Sequence, residues 1–279
     1  MFLIENLKAV LFGIVEGITE WLPVSSTGHM ILLDEFIRLD VSKVFYEMFQ
    51  VVIQLGAILA VILLFFHKLN PFSPKKSVEQ KKDTWGLWFK VVVAVLPSAV
   101  LGYLFDDWMD AKLYNYVVVA IALIAYGVAF LFVEKLNEKR QAKITDVNCI
   151  DYKTALLIGA FQCLSLIPGT SRSGATILGA IFLGVSRSAG AEFSFFLAIP
   201  TMLGASLLKV LDFMDTGLIL TATEISVLIV GCVVSFVVSL LVIKALMDYV
   251  RRRSFAVFGW YRIGLGIVVI GYYIIKTIA

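Results

Sequence analysis

The chain has 279 residues, of which 60% are hydrophobic and only 16% charged, with a mean hydropathy of +0.91. That exceeds what a soluble core of this size needs, so the composition excludes a soluble globular domain and specifies an integral membrane protein. A formal net charge of +3 is too weak a basic excess to make nucleic acid a partner, and three unpatterned cysteines (Cys149, Cys163, Cys232) point to free thiols rather than a disulfide framework or metal centre.

In chain order, the first apolar stretch, 2–37, carries Glu5 and Lys8 early and has no small-residue cleavage pattern, so it is expected to stay in the mature protein. Its centre is interrupted by Glu16-Gly17-Ile18-Thr19-Glu20-Trp21-Leu22-Pro23-Val24-Ser25-Ser26-Thr27-Gly28-His29. Pro and Gly beside hydroxyl residues stop an α-helix and leave backbone groups needing partners, which predicts a re-entrant helix-loop-helix hairpin. Three segments long enough to cross a bilayer follow at 45–66, 85–105 and 114–133. A second broken stretch, 152–184, is interrupted by Pro168-Gly169-Thr170-Ser171-Arg172-Ser173-Gly174-Ala175-Thr176 and reads as a second hairpin. Three more spans are expected at 188–210, 225–247 and 255–275.

Loop charges set the orientation. Lys68, Lys75, Lys76, Lys81 and Lys82 fall between the first two spans, Lys135, Lys139, Arg140 and Lys143 after the third, and Lys244 and Arg251 to Arg253 before the last. The positive-inside rule makes these three regions cytoplasmic. Asp106, Asp107, Asp110, Asp212, Asp215 and Glu224 then mark outer loops, and both chain ends lie outside. Each half is one hairpin plus three spans, and because three is odd the second half is inverted relative to the first. The expected architecture is an all-α polytopic membrane protein: six transmembrane helices plus two re-entrant hairpins in a single domain, with inverted repeats at approximately 1–135 and 150–279. A constant offset of 146 supports it, pairing Gly13 with Gly159, Thr19 with Ser165, Ser25 with Ser171, Gly28 with Gly174 and Phe36 with Phe182.

Polar groups this dense at membrane depth are a functional-site hypothesis by default. Glu16 and Glu20, spaced i, i+4, share one helix face, where they can hold a divalent ion or shift one another's ionisation. Ser25, Ser26 and Thr27 can cap the following helix, and with Gly28 they expose backbone N–H groups suited to an anion. Ser171, Ser173, Gly174 and Thr176 repeat the arrangement, and Arg172 adds a planar fork suited to phosphate oxygens. His29 is read as an acid or phosphate contact. Together the set fits a phosphate ester or anhydride. Gln50, Gln54 and Glu192 either line the same cavity or join neighbouring helices.

The string EGITEWLPVSSTGH at 16–29, PGTSRSGAT at 168–176, FQVVIQLGAILAV at 49–61 and EFSFFLAIP at 192–200 closely resemble the bacterial undecaprenyl pyrophosphate phosphatases of the bacitracin-resistance type. The resemblance implies removal of the terminal phosphate from the C55 isoprenoid diphosphate, which regenerates the lipid carrier for cell-wall synthesis and confers bacitracin resistance. It implies a divalent cation, Mg or Ca, held by Glu16 and Glu20. By position, Ser26 is the nucleophile, with a metal-activated water as the alternative, and His29 contacts phosphate or acts as acid. Ser25, Thr27, Ser171, Arg172, Ser173 and Thr176 bind the diphosphate. The substrate is a membrane lipid, the expected location is the bacterial cytoplasmic membrane with an outward-facing site, and a homodimer is left open. The motifs of the phosphatidic-acid-phosphatase type are not found. Inverted repeats with broken helices also suit a lipid carrier, which is the rival reading.

Overall fold

The computed structural model describes residues 2–278, with the side chains at 106, 107, 110, 111, 277 and 278 outside the description. Eleven α-helices follow in order: α1 Phe2–Thr19, α2 Ser26–Phe36, α3 Lys43–Leu64, α4 Phe66–Leu69, α5 Val78–Leu113, α6 Tyr116–Asn137, α7 Tyr152–Gln162, α8 Arg172–Phe182, α9 Arg187–Asp215, α10 Ala222–Val250 and α11 Ala256–Ile278. Six of them (α3, α5, α6, α9, α10 and α11) contain stretches long and apolar enough to cross a membrane. No strand is present among the described residues. One parallel bridge joins Ile144 to Val185, where the Ser186 N–H donates to the Ile144 carbonyl at 2.8 Å.

The expected spans fall on these six helices, and the differences lie at their ends. α5 starts at Val78 instead of 85 because Ser77 and Gln80 form a capping box that carries the helix through the polar stretch containing Lys81 and Lys82. It also runs on to Leu113, so the backbone at 106, 107 and 110 is helical where an outer loop was expected; the side chains of Asp106, Asp107 and Asp110 lie outside the described set. Likewise α10 extends from its Thr221–Glu224 capping box to Val250, which puts Lys244 inside the helix rather than in the turn beyond it. Ser42, Asn115 and Ser186 cap α3, α6 and α9 through their side-chain oxygens.

Both broken stretches fold as pairs of helices joined by a tip: α1 and α2 around 20–25, and α7 and α8 around a 3-10 turn at Cys163–Leu166 and the residues to Ser171. Their packing is reciprocal. Helix α1 lies against α10 and α7 against α5, while α3 meets α9 and α6 meets α11. Two residues of the 146 offset make the close approaches. A Cβ on Gly13 would sit 2.8 Å from the Gly231 carbonyl oxygen of α10, and one on Gly159 would sit 2.1 Å from that of Ala94 in α5. Only a residue without a side chain permits either contact. Around the second hairpin α9 supplies Phe193, Phe195 and Phe196, all fully buried, and Phe195 stands edge-on to the buried Trp21 of the first tip at 5.3 Å. Apolar packing thus seats the two tips against one another.

Candidate active site

The tips share one backbone device. Ser25 and Ser171 have φ of 74° and 71°, the only positive values among described residues other than glycine. A residue with a Cβ in that region costs on the order of 1–3 kcal/mol and persists only where its surroundings enforce it. Here the enforcement is visible. Each serine hydroxyl oxygen accepts from the backbone N–H three residues on, Gly28 for Ser25 (3.3 Å) and Gly174 for Ser171 (3.1 Å), so each caps the helix that follows. Gly169, with φ of 90°, lets the second tip approach the backbone of α6; a Cβ there would sit 2.6 Å from the Val119 carbonyl oxygen.

Glu20 lies just beyond the end of α1, its N–H still bonded to the Glu16 carbonyl, and is buried. Its Oε2 accepts from the Ser26 hydroxyl at 2.7 Å. Its Oε1 accepts from Arg172 Nη2 at 3.0 Å and Nε at 3.3 Å. The third guanidinium nitrogen, Nη1, donates to the Ser194 carbonyl of α9 at 2.8 Å, and the guanidinium lies 5.8 Å from the centre of the Trp21 ring. Ser26, Glu20 and Arg172 therefore form a line of hydroxyl, carboxylate and cation that crosses from the first tip to the second. The sequence placed Arg172 on phosphate oxygens; in this structure its fork is filled by Glu20 and Ser194.

Glu16 is also buried and in contact with Glu20, and its Oε1 has no hydrogen-bond partner among the described residues. Two touching carboxyl groups need a proton or a cation between them. Glu16 and Glu20, the residues expected to hold the metal, lie together as two carboxyl groups, and no group of three or more His, Cys, Asp or Glu residues suited to a metal occurs among the described residues. Magnesium keeps several waters and is commonly held by one or two carboxylates plus substrate phosphate. The donor set fits such an ion.

The remaining expected residues divide by what their hydroxyls touch. Ser173, fully buried, points its hydroxyl at the backbone carbonyls of Glu20 (2.9 Å) and Leu22 (3.2 Å), which joins the tips directly. Thr176, also fully buried, bonds the Arg172 carbonyl at 2.9 Å and the Ser194 hydroxyl at 2.6 Å, which fixes α8 on α9. Ser171 Oγ lies 3.2 Å from that of Ser173 as well as capping α8. Thr27 is partly exposed in the first turn of α2. His29, in the same turn, has Nδ1 2.7 Å from the Ser25 carbonyl and Nε2 2.7 Å from the Tyr261 hydroxyl of α11. Glu192 pairs with Lys68 of α4.

Two residues that matter here were not singled out from sequence. Ser194 accepts from Arg172 at its carbonyl and shares a hydroxyl–hydroxyl bond with Thr176, yet a serine in an apolar helix carries no distinguishing signal. Arg262 is fully buried in α11, donating from Nη1 to the Pro23 carbonyl (3.1 Å) and from Nη2 to the Gly169 carbonyl (2.8 Å), one bond to each tip. The guanidinium lies 5.6 Å from the centre of the Tyr126 ring. Its signal was available, because an arginine inside an expected span is itself a functional-site indication.

Comparison with known proteins identifies the family. The profile described as "Bacitracin resistance protein BacA" matches residues 9–268. A protein of Enterococcus faecalis called undecaprenyl-diphosphatase is 60% identical over 267 residues, covering 96% of this chain and 97% of its own length. Proteins with the same name from Limosilactobacillus fermentum (58% identical, covering 97% of this chain and 98% of the relative) and Streptococcus equi subsp. equi (55% identical, both chains covered fully) are similar throughout. With the profile spanning both tips, five of the six long helices and the first part of the sixth, this chain belongs to the bacitracin resistance protein BacA family.

Proposed function

We propose that the protein hydrolyses undecaprenyl diphosphate to undecaprenyl phosphate and inorganic phosphate, recycling the lipid carrier of cell-wall synthesis and conferring bacitracin resistance. The single observation that carries this reading is the 2.7 Å bond from the Ser26 hydroxyl to Glu20, whose other oxygen is held by Arg172. A nucleophile, a base within reach and a third group that orients the base make the arrangement of covalent catalysis. The names of the relatives supply the substrate.

In the proposed reaction Ser26 Oγ attacks the terminal phosphorus while its proton passes to Glu20 Oε2. The bond from that phosphorus to the bridging oxygen breaks, and the lipid monophosphate leaves with the electron pair. Water then opens the phosphoserine, releasing phosphate and restoring the hydroxyl. Arg172 orients Glu20, and substrate phosphate competes with Glu20 for its fork. The free N–H groups at the starts of α2 and α8 face the developing negative charge. His29 contacts the phosphate or serves as acid beside it. Ser25, Thr27 and Ser171 stand around the diphosphate, and Ser173 and Thr176 hold the tips that bind it. Glu16 and Glu20 would hold Mg or Ca, an ion that supplies positive charge to phosphate oxygens.

The orientation belongs to the same proposal: a multi-pass protein of the cytoplasmic membrane, both tips re-entrant, the site open to the outside, and repeats at 1–135 and 150–279 inverted. The exchange of partners between α1 on α10 and α7 on α5, and the matching φ values of Ser25 and Ser171, support the repeats. The basic loops support the orientation. In intact cells, a cysteine introduced at Lys75 should resist an impermeant thiol reagent and one at Ile219 should react; the opposite pattern overturns it. For the reaction, purified protein in detergent given a prenyl diphosphate and Mg should release inorganic phosphate, whereas a carrier without chemistry releases none.

A further inference from the structure

His29 is held by two partners of different chemistry, and together they determine which of its nitrogens carries hydrogen. The Ser25 carbonyl can only accept, so Nδ1, at 2.7 Å, must carry a proton. In the neutral ring Nε2 is then bare, and the hydroxyl 2.7 Å away on Tyr261 is its donor. When Nε2 is protonated the same phenol oxygen can accept, so one hydroxyl serves both states. The two rings are parallel, 4° apart in plane with centroids at 5.7 Å, and turning the imidazole over would break both bonds.

We propose that Tyr261 is the positioning residue of His29: its hydroxyl holds the imidazole with Nδ1–H on Ser25 and Nε2 on the phenol oxygen, so that Nε2 gains or loses a proton without the ring turning. The next residue, Arg262, is bonded to a carbonyl of each tip, so the phenol and the Ser25 carbonyl belong to one frame. Packing does not explain the side chain, because Tyr261 is 49% exposed and, among the described residues, its hydroxyl bonds His29 alone. Fixing a proton-carrying group before substrate arrives lowers the barrier of the step it serves. The inference rests on the role given above to His29 at the phosphate.

The test is a double-mutant cycle on phosphate release by the full-length protein in detergent with a prenyl diphosphate and Mg. Tyr261→Phe should lower kcat about 10-fold with KM within about twofold and an unchanged melting temperature. In a His29→Gln background, assayed at enough enzyme to read its residual turnover, the same substitution should change kcat by less than about twofold. Equal losses in both backgrounds, or full activity in Tyr261→Phe alone, overturn the proposal. Full activity in His29→Gln alone is a separate failure: it removes the role of His29 while leaving the Ser26–Glu20 reading in place.

Discussion

The two hairpin tips have the same backbone and opposite chemistry. Ser25 and Ser171 share a positive φ and a side-chain cap three residues on, and the helices beyond both begin at the site. At the same offset, however, Ser26 corresponds to Arg172, Glu20 to Leu166 and Glu16 to Gln162. Gln162 shows what that position does without a charge. It is buried and donates to Ser98 at 2.6 Å and Thr201 at 3.3 Å, joining α7 to α5 and α9. The first hairpin thus holds the proposed nucleophile and the carboxylates, the second holds the cation, and the Arg172–Glu20 bond closes the gap between them. One scaffold used twice can present complementary charges because the backbone geometry depends on a serine at one position and leaves the next free to differ.

The comparison is broken most severely at the position where the tips differ most. Ser26→Ala should reduce turnover by at least about 10³-fold while substrate binding stays near normal. Phosphate-release kinetics together with a binding measurement check it, and substantial remaining turnover would favour a water as the attacking group. Next comes the bond between tips. Arg172→Lys should keep the protein folded yet lose roughly 10²-fold, because an ammonium cannot meet Glu20 and the Ser194 carbonyl at once. Glu20→Gln should cost at least as much, and the double variant little more than the worse single one, since both remove the same unit. Additive losses would show that the two act separately.

Gly169→Ala tests the frame instead of the chemistry. A Cβ at φ of 90° and 2.6 Å from the Val119 carbonyl has no room, so thermal unfolding should reveal a loss of roughly 2 kcal/mol or more, with activity falling in parallel. The smallest effect is expected at the two serines. Ser25→Gly and Ser171→Gly each lose a cap bond but relieve the positive φ, so each should change stability by less than about 1 kcal/mol. Ser25→Ala and Ser171→Ala keep the strain without the cap and should be about 1 kcal/mol worse than the glycine variants. Comparable melting shifts at 25 and 171 would support the repeat, and a large asymmetry would confine the device to one tip.

By itself the sequence determined that this chain is helical and membrane-embedded, with six long helices on the expected segments and two stretches broken where Pro and Gly stand beside hydroxyls. Those are local properties, since apolar length and helix-stopping residues act within a few turns. Helix ends were legible only where a cap was weighed against polarity: the Ser77–Gln80 box starts α5 seven residues before the apolar run expected at 85. The sequence also identified the residues of both tips, because carboxylates, hydroxyls and an arginine are conspicuous in apolar surroundings. Which groups touch was decided by tertiary structure alone. Glu20 and Arg172 are 152 residues apart in the chain and meet only when α8 is seated by Trp21, Phe195 and Ser194. The same holds for Arg262, whose guanidinium reaches Pro23 and Gly169 across the whole fold. Hydrogen bonds between distant segments follow from packing in three dimensions, and no spacing along the chain encodes them.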